Sequence, residues 1–361
     1  MTNIFFTALT FCAMVTASYA QQQPPKLHVV ATTSEHNWNG IAISNDNRLF
    51  ADFPRWEKGS NPSLVEIKDG KEIPFPGNGW NEWQPGKDPK TAFVSLNSLY
   101  INRADNHLWV TDAGEAFYKT IVPQSPKLVE IDLVTNKVVN VFLIDEEYAP
   151  VGSHLNDIRI QGDHVFITES GTGTILVLNR KTKAIRRLLA GSKLTKADPQ
   201  GQPVIDGFRL QGADGKTPAI HTDQLDLSAD GKTLFFMSPF GPNLYKVAVA
   251  DLLNESLNDD ELEKRVTVDR TVNPVGGIVM DDKDNLYLSE IETGSIRCEG
   301  ADKQTKWILK DPRLVWPDAY SIALDGTFYM VVAQISNMTF MRKGEDLRRP
   351  PYYIFSFKPE R

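Results

Sequence analysis

The chain repeats one short pattern six times, and this repeat is the strongest constraint on its fold. Each copy starts with a small or polar pair, continues as an alternating strand, turns on Asp, Asn or Gly, and returns as a more apolar strand. Alternation with period two around such turns is typical of tight β-hairpins. The copies start at Trp38, Leu96, Leu155, Thr222, Val275 and Pro317, with turns at Asp46-Asn47, Asp105-Asn106, Gly162-Asp163, Asp230-Gly231, Asp284-Asn285 and Asp325-Gly326.

The spacing of the copies predicts the architecture. Successive copies start on the order of 50 residues apart, close to the roughly 40 to 50 residues of a four-stranded propeller blade. Further strand-like runs between the copies would supply the outer strands. We therefore predict an all-β protein, a six-bladed β-propeller, in which the N-terminal run LHVVATT and the C-terminal run YYIFSFK close one blade. The segment SLNDDELEKRV is predicted to be a short helix, capped by Ser256, or a charged loop on the periphery.

The N-terminus predicts export. Residues 1–20 contain an apolar run that ends in the small residues Ser18-Tyr19-Ala20, as a signal peptide does, although this segment lacks an early Lys or Arg. We expect a secreted or periplasmic protein whose single propeller domain spans residues 21–361. Removal of the signal leaves Cys298 as its one cysteine, so a packed core and not a disulfide must stabilise the fold.

Composition excludes several function classes. The net charge is -7 and the basic residues are dispersed, whereas a nucleic-acid-binding protein needs a basic stripe. After the signal, no apolar run approaches the length of a membrane span. The chain lacks G-x-S-x-G, H-E-x-x-H and C-x-x-C, so no hydrolase triad, zincin or redox motif is indicated. The expected partner is a small molecule, with the protein a monomer and no organic cofactor.

The repeat also places polar residues at one end of the central channel. In a propeller the inner strand lines the channel and its neighbour runs antiparallel, so the start of the first and the end of the second share a face. The inner strands would start at Asn39, Asn97, Asn156, Asp223, Gly276 and Asp318, and the second strands would end at Asp52, Asp112, Glu169, Ser238, Glu290 and Ala333. The predicted ligand-binding set consists of Asn39, Asn97, Asn156, Asp157, Glu169, Asp223, Glu290 and Asp318.

Amide and carboxylate oxygens without a basic counter-ion suit a hard divalent cation such as calcium. The ring therefore predicts a divalent-cation site at the mouth. A cationic ligand or a bound proton would relieve the same repulsion between acids. A third interpretation is that the ring is turn chemistry repeated for stability alone.

Histidines near the same end suggest proton transfer. His36 precedes Asn39, and His154 and His221 each lie two residues before a ring residue. We predict His154 and His221 as catalytic, since imidazole exchanges protons near neutral pH. The alternative is that these are loop histidines bonded to the backbone.

The motifs LFADFPRW, LNDIRI and VWPDAYSIALDGTFYMV, with the ending RRPPYYIFSFKPE, resemble the major royal jelly and yellow protein family. The resemblance spans nearly the whole mature chain and implies a six-bladed propeller. Known members include dopachrome-converting proteins, salivary amine binders and storage proteins. The disulfides usual in insect members are absent, which suggests a microbial homologue.

More distantly, the chain is similar to the senescence marker protein and gluconolactonase group. That group holds a central divalent metal with a Glu, an Asn and an Asp. Asn156 and Asp223 match the Asn and Asp by repeat position, so the resemblance implies that they are the metal ligands, whereas Asn39, with Glu35 nearby, takes the place of the Glu.

These inferences lead to one functional hypothesis and one alternative. The protein is expected to bind a small polar or aromatic molecule at the channel mouth and to convert it by dopachrome-type tautomerisation or lactone hydrolysis. The alternative is a non-catalytic binding protein for an amine, in which acidic residues hold the cation and aromatic rings stack on the ligand.

Overall fold

The protein is described by a computed structural model that covers residues 22–56, 62–118 and 121–360. The predicted signal peptide lies outside the described residues. Six four-stranded antiparallel sheets form the blades, and their inner strands contact one another in a closed ring. The prediction of an all-β, six-bladed propeller is confirmed.

The chain enters through β1 (His28–Thr33) and then builds the first three blades in order. Blade 1 contains β2 (Ile41–Ile43), β3 (Leu49–Asp52), β4 (Leu64–Lys68) and β5 (Lys71–Pro74). Blade 2 contains β6 (Leu96–Asn102), β7 (His107–Asp112), β8 (Lys127–Asp132) and β9 (Lys137–Leu143). Blade 3 contains β10 (Leu155–Gln161), β11 (His164–Glu169), β12 (Thr174–Asn179) and β13 (Ile185–Leu188).

A two-stranded hairpin separates blades 3 and 4, formed by β14 (Val204–Ile205) and β15 (Phe208–Arg209). Blade 4 contains β16 (Gln224–Leu227), β17 (Thr233–Met237), β18 (Asn243–Ala248) and β19 (Thr267–Thr271). Blade 5 contains β20 (Val275–Met280), β21 (Leu286–Glu290), β22 (Ser295–Glu299) and β23 (Thr305–Lys310). Blade 6 contains β24 (Pro317–Ile322), β25 (Phe328–Val332), β26 (Tyr352–Phe357) and, as its outer strand, β1.

Blade 6 closes the ring by joining the two ends of the chain. Strand β1 pairs antiparallel with β26, from His28 opposite Ser356 to Thr33 opposite Tyr352. The predicted pairing of the N- and C-terminal strands is therefore confirmed. It ties the first segment of the propeller to the last by backbone hydrogen bonds.

The hairpin turns have the backbone geometry that their residues favour. Each of the six predicted turn pairs contains a residue with positive φ, a conformation that Asn, Asp and Gly adopt at low cost. These residues are Asn47, Asn106, Gly162, Gly231, Asp284 and Gly326. Local turn chemistry thus fixes the register of all six inner hairpins.

Helical segments are short and peripheral. They are α1 (Val249–Leu252), α2 (Asp259–Glu263) and the 3₁₀ turns Pro89–Thr91, Ala116–Tyr118, Lys193–Thr195 and Ile335–Asn337. The predicted peripheral helix corresponds to α2, but its cap is Asn258 and not Ser256. Asn258 accepts from the Glu261 amide while the Glu261 carboxylate accepts from the Asn258 amide, a reciprocal capping box.

The hydrophobic core lies between the blades. Each pair of neighbouring blades shares a cluster of buried apolar side chains, and blade 6 packs on blade 1 through residues such as Val331 and Ile41. Burial also raises the pKa of the Cys298 thiol to about 12, so this cysteine is a packed residue and not a nucleophile. Among the described residues, no helix has the length and apolar character needed to cross a membrane.

Candidate functional site

A chain of hydrogen bonds links predicted ring residues at the channel mouth, the end of the central channel where the inner strands begin. Asn39 Nδ2 donates to the Asn97 carbonyl at 2.7 Å, and Asn97 Nδ2 donates to Asn156 Oδ1 at 2.7 Å. Asn156 Nδ2 donates to Ser170 Oγ at 3.0 Å, and the Asn156 side chain also lies beside the Asp223 carboxylate. The structure therefore brings together Asn39, Asn97, Asn156 and Asp223 from blades 1 to 4.

β-Bulges occur where the ring residues leave the regular strand. The pairing of the inner strand shifts register between Leu96 and Ser98, between Leu155 and Ile158, and between Pro317 and Tyr320. A bulge adds an unpaired residue and redirects neighbouring side chains, and bulges recur beside functional sites. These shifts span Asn97, the pair Asn156-Asp157 and Asp318.

Blade 5 contributes space to the mouth. Two glycines, Gly276 and Gly277, follow Val275 in its inner strand. A Cβ atom added to Gly277 would lie 1.6 Å from the Asp318 carbonyl oxygen. Blade 6 therefore approaches blade 5 closely only because position 277 has no side chain, and this approach places Asp318 at the mouth.

Four acids form a carboxylate cluster in the channel, defined as Asp52, Asp157, Asp223 and Asp318. Burial is the main cause of their raised pKa values, and repulsion from nearby acids adds to it, from Asp226 at Asp157 and from Asp157 at the other three. The pKa of Asp52 is raised to about 7 and that of Asp157 to about 6, while those of Asp223 and Asp318 lie well above the usual range. Removing a carboxylate from water disfavours its charged form unless a cation is close.

Among the described residues, Arg159 is the cation that interacts with this cluster, through Asp157. Its Nε donates to Asp226 Oδ1 at 2.7 Å, and its guanidinium lies 5.4 Å from the centre of the Tyr100 ring. Asp226 and Asp157 both raise the pKa of Arg159. Sequence analysis missed Arg159, although it lies two positions after Asp157 and therefore on the same strand face.

Three buried oxygen atoms near the mouth lack hydrogen-bond partners in the described structure. They are Asn39 Oδ1, Asp52 Oδ2 and Gln224 Oε1. Each belongs to a side chain whose other polar atom is bonded, since Asp52 Oδ1 accepts from the Gly40 amide at 2.9 Å and Gln224 Nε2 donates to the Gly276 carbonyl at 3.2 Å. Buried polar atoms are normally satisfied, so unpaired acceptors at one place indicate a site for a donor or a cation.

The two predicted catalytic histidines have different hydrogen-bond partners. His154 is half-buried, with Nε2 3.1 Å from Asn97 Oδ1 and Nδ1 3.1 Å from Glu115 Oε2. His221 Nδ1 accepts from the Ala197 amide at 2.9 Å. Burial, and then the nearby Lys196, lower the pKa of His221, so its imidazole is neutral at pH 7. Glu115 comes from a loop and carried no sequence signal.

Two of the predicted ligand-binding acids, Glu169 and Glu290, end second strands and are bonded near their own blades. Glu169 Oε1 accepts from the amides of His154, Gly171 and Thr172 at 2.7 to 2.9 Å. Glu290 lies 2.9 Å from the Arg297 guanidinium and accepts from Asn273 Nδ2 at 2.8 Å. Both carboxylates are bonded to groups in their own blades or in the segments that lead into them. They are therefore separate from the carboxylate cluster.

A second group of possible metal ligands lies at the turn end of the blade 2 hairpin. Ligand atoms of Asp105, His107 and Glu130 lie within 4.8 Å of one another. His107 Nδ1 is 2.8 Å from Glu130 Oε1, and Arg180 and Asn102 both donate to Asp105 Oδ2. The expected metal site at Asn156 and Asp223 is at the opposite end of the inner strands.

Comparison with known proteins agrees with this architecture. Residues 94–337 match the model of the family described as major royal jelly protein. No curated protein matches the chain significantly. Solved propellers are similar in fold, at identities that show the fold alone.

A gluconolactonase from Xanthomonas campestris has a TM-score of 0.54 at 11% identity, covering 92% of this chain and 89% of the other. A catalytically inactive virginiamycin B lyase from Staphylococcus aureus, with quinupristin, has a TM-score of 0.51 at 13% identity, covering 93% and 100%. A streptogramin B lyase has a TM-score of 0.50 at 11% identity, covering 92% and 97%.

Proposed function

This chain belongs to the major royal jelly protein family, and we propose that it binds a small, positively charged molecule at its channel mouth. The ligand class that fits best is an amine with an aromatic or apolar body. The proposal includes export of the chain and its action as a monomer on a small molecule, in a secreted or periplasmic location.

The observation that carries the proposal is the concentration of desolvated carboxyl groups in the carboxylate cluster. Four desolvated acids interact with one another, while the nearby Arg159 is already bonded to Asp226. A bound cation would remove the repulsion and replace the lost hydration. Its N–H groups would also supply donors to unpaired acceptors such as Asp52 Oδ2 and Asn39 Oδ1.

A divalent cation such as calcium is the second candidate occupant. The donors at the mouth are carboxylate and amide oxygens, which are the ligands that calcium prefers. Asp223 and Asn156 would hold it, since Asn156 Oδ1 accepts one hydrogen bond and keeps a second lone pair. Asp52 Oδ2 and Asn39 Oδ1 could complete the set. Such an ion would polarise a bound carbonyl oxygen as a Lewis acid.

Titration calorimetry with tyramine and its neutral analogue 4-ethylphenol tests the amine proposal. We expect saturable binding of tyramine and none of 4-ethylphenol, because the ammonium group supplies the binding energy. Affinity should rise by about tenfold or more between pH 5 and pH 8. The reason is that Asp157 and Asp52, with pKa values raised to about 6 and about 7, must lose protons to bind a cation.

Calcium chloride titrated into protein treated with a chelator separates the two occupants. Calcium binding that displaces tyramine indicates a shared cation site, whereas calcium binding alone favours the metal. Equal affinity for tyramine and 4-ethylphenol would contradict the cationic site, as would the absence of binding by both tyramine and calcium.

Conversion of the ligand is a further candidate activity, by dopachrome-type tautomerisation or lactone hydrolysis. It is favoured by the position of His154, whose two ring nitrogens lie 3.1 Å from Glu115 and from the mouth residue Asn97. A carboxylate on Nδ1 orients the ring and supports proton exchange at Nε2.

Turnover of dopachrome and of a simple lactone, followed by absorbance and by pH-stat, tests this activity. We expect His154→Gln to lower kcat by about 100-fold or more while tyramine affinity changes little, because a general base contributes on that scale. Wild-type protein that binds tyramine but converts neither substrate would instead identify a binding protein.

A further inference from the structure

We propose a second ligand site, an anion-binding groove beside blade 6 that takes a small organic carboxylate with an apolar or aromatic body. The groove has a volume of about 530 Å³, within the size range of small-molecule sites. We call it the arginine groove, after its three arginines, Arg313, Arg342 and Arg349.

Arg342 is a buried cation with no anion within ion-pair distance among the described residues. Arg342 is only 7% exposed to solvent. Nε donates to the Ser336 carbonyl at 2.8 Å and Nη2 to Asn337 Oδ1 at 3.3 Å, both neutral oxygens. Among the described residues no carboxylate lies within ion-pair distance of Arg342, and Nη1 has no partner.

The electrostatics of the groove favour a negative ligand. Burial lowers the pKa of Arg342, and the attraction of Asp206 offsets this only in part. A guanidinium stays charged in proteins, so a desolvated one gains most from a bidentate carboxylate. Lys343 adds positive charge nearby, with its Nζ 5.9 Å from the Phe208 ring on which Arg342 also stacks at 4.9 Å.

Arg349 supplies a second, accessible cation. Its backbone is held on both sides by the buried Gln334, whose Oε1 accepts from the Arg349 amide at 2.8 Å and whose Nε2 donates to the Arg349 carbonyl at 2.9 Å. The side chain is exposed, and no hydrogen bond or ion pair joins its guanidinium to the described parts of the chain. The residue is therefore placed at the groove while its charged group remains available.

The other charges of the groove are accounted for. Arg313 is paired with Asp311 through two hydrogen bonds of 2.9 and 2.6 Å, so it adds little net charge. Asp206 is the one acid among the described residues that line the groove. It is exposed and makes no ion pair with Arg342. Positive charge therefore remains in excess at Arg342 and Arg349.

The walls indicate the rest of the ligand. Apolar and aromatic side chains surround the arginines, which suits a ring or short hydrocarbon attached to the carboxylate. These wall residues are Pro312, Val315, Leu347, Pro350, Pro351 and Tyr353.

Calorimetric titration with benzoate and its neutral analogue benzamide tests the arginine groove. We expect saturable benzoate binding that is about tenfold weaker in Arg349→Ala and in Arg342→Gln, the loss that follows when one charge-assisted hydrogen bond is removed. Arg209→Ala removes an exposed arginine outside the groove and should leave the affinity unchanged. Benzamide should not bind.

Arg349→Ala decides the test if Arg342→Gln fails to fold, since Arg349 contributes only backbone contacts to the structure. Tyramine should neither displace benzoate nor change its affinity, so failure of the channel proposal leaves this test intact. The proposal is overturned if wild-type protein does not bind benzoate, if benzamide binds equally, or if Arg349→Ala retains full benzoate affinity.

Discussion

Replacement of Lys127 by Met should lower the free energy of unfolding by about 3 to 5 kcal/mol. The Lys127 ammonium and the Asp112 carboxylate are 2.6 Å apart and both side chains are fully buried. Lys127 Nζ also donates to the carbonyls of Pro89 and Ser125 at 2.9 and 3.1 Å. Removing the ammonium leaves a buried carboxylate without its cation and two carbonyls without their donor, and both losses are costly.

Urea denaturation followed by tryptophan fluorescence measures the effect. Lys181→Met is the matched control because Lys181 pairs with Asp163 on the surface. The Lys181 side chain is 73% exposed and that of Asp163 is 38% exposed. Exposed pairs contribute little, so this variant should unfold at the wild-type urea concentration. A Lys127→Met protein as stable as Lys181→Met would show that the buried pair does not stabilise the blade.

The acid that ends the second strand has the same role in the first three blades. Asp112 accepts from the amides of Val94 and Ser95, just before the inner strand of blade 2. Asp52 accepts from the Gly40 amide in blade 1, and Glu169 from the His154 amide in blade 3. In these three blades the acid that ends the second strand thus fixes the segment that carries the ring residue. Of the three acids, Asp52 alone keeps an oxygen without a hydrogen-bond partner.

This distinction shows what the sequence could predict. Hairpins and turns were predictable because period-two alternation and Asn, Asp or Gly turns are local properties, and the structure has positive φ in every predicted turn. The ring of Asn39, Asn97, Asn156 and Asp223 was predictable because repeats place equivalent positions together. The repeat could locate Glu169 and Glu290 at the same end, but not the direction of their carboxylates.

Other parts of the site depend on features without a sequence period. Glu115 reaches His154 from a loop in which Phe117 has a positive φ of 62°. The register shifts around Asn156 and Asp157 arise in the pairing with the second strand and leave the alternation pattern unchanged. Arg342 and Arg349 lie in the segment after the last predicted hairpin, where the burial of Arg342 and the placement of both at one groove, and not a sequence pattern, make them notable.

Charge removal at the channel mouth should weaken cation binding and strengthen the fold. In the double variant Asp223→Asn/Asp318→Asn, we expect tyramine affinity to fall by about 100-fold, since two charge-assisted contacts are lost. Both acids are desolvated and repel Asp157 and each other, so neutral amides of similar shape should stabilise the propeller by about 1 to 3 kcal/mol at pH 8. The surface pair Asp282→Asn/Asp302→Asn makes the same change in net charge at exposed positions.

The pH dependence of unfolding separates this effect from a general change in charge. The pKa values of the cluster are raised in the folded state, to about 7 for Asp52 and about 6 for Asp157, so the native protein holds protons that the unfolded chain releases near pH 4. Their contribution to stability is full below pH 4 and is lost as pH rises through these values, by up to about 1.4 kcal/mol per pH unit for each retained proton. Urea denaturation at pH 4 to 8 should show a shallower decline in the double variant than in wild type and in the surface control. An unchanged slope would mean that the pKa values of Asp223 and Asp318 are not raised in the folded protein, and the argument from desolvated, mutually repelling acids would then lose its basis.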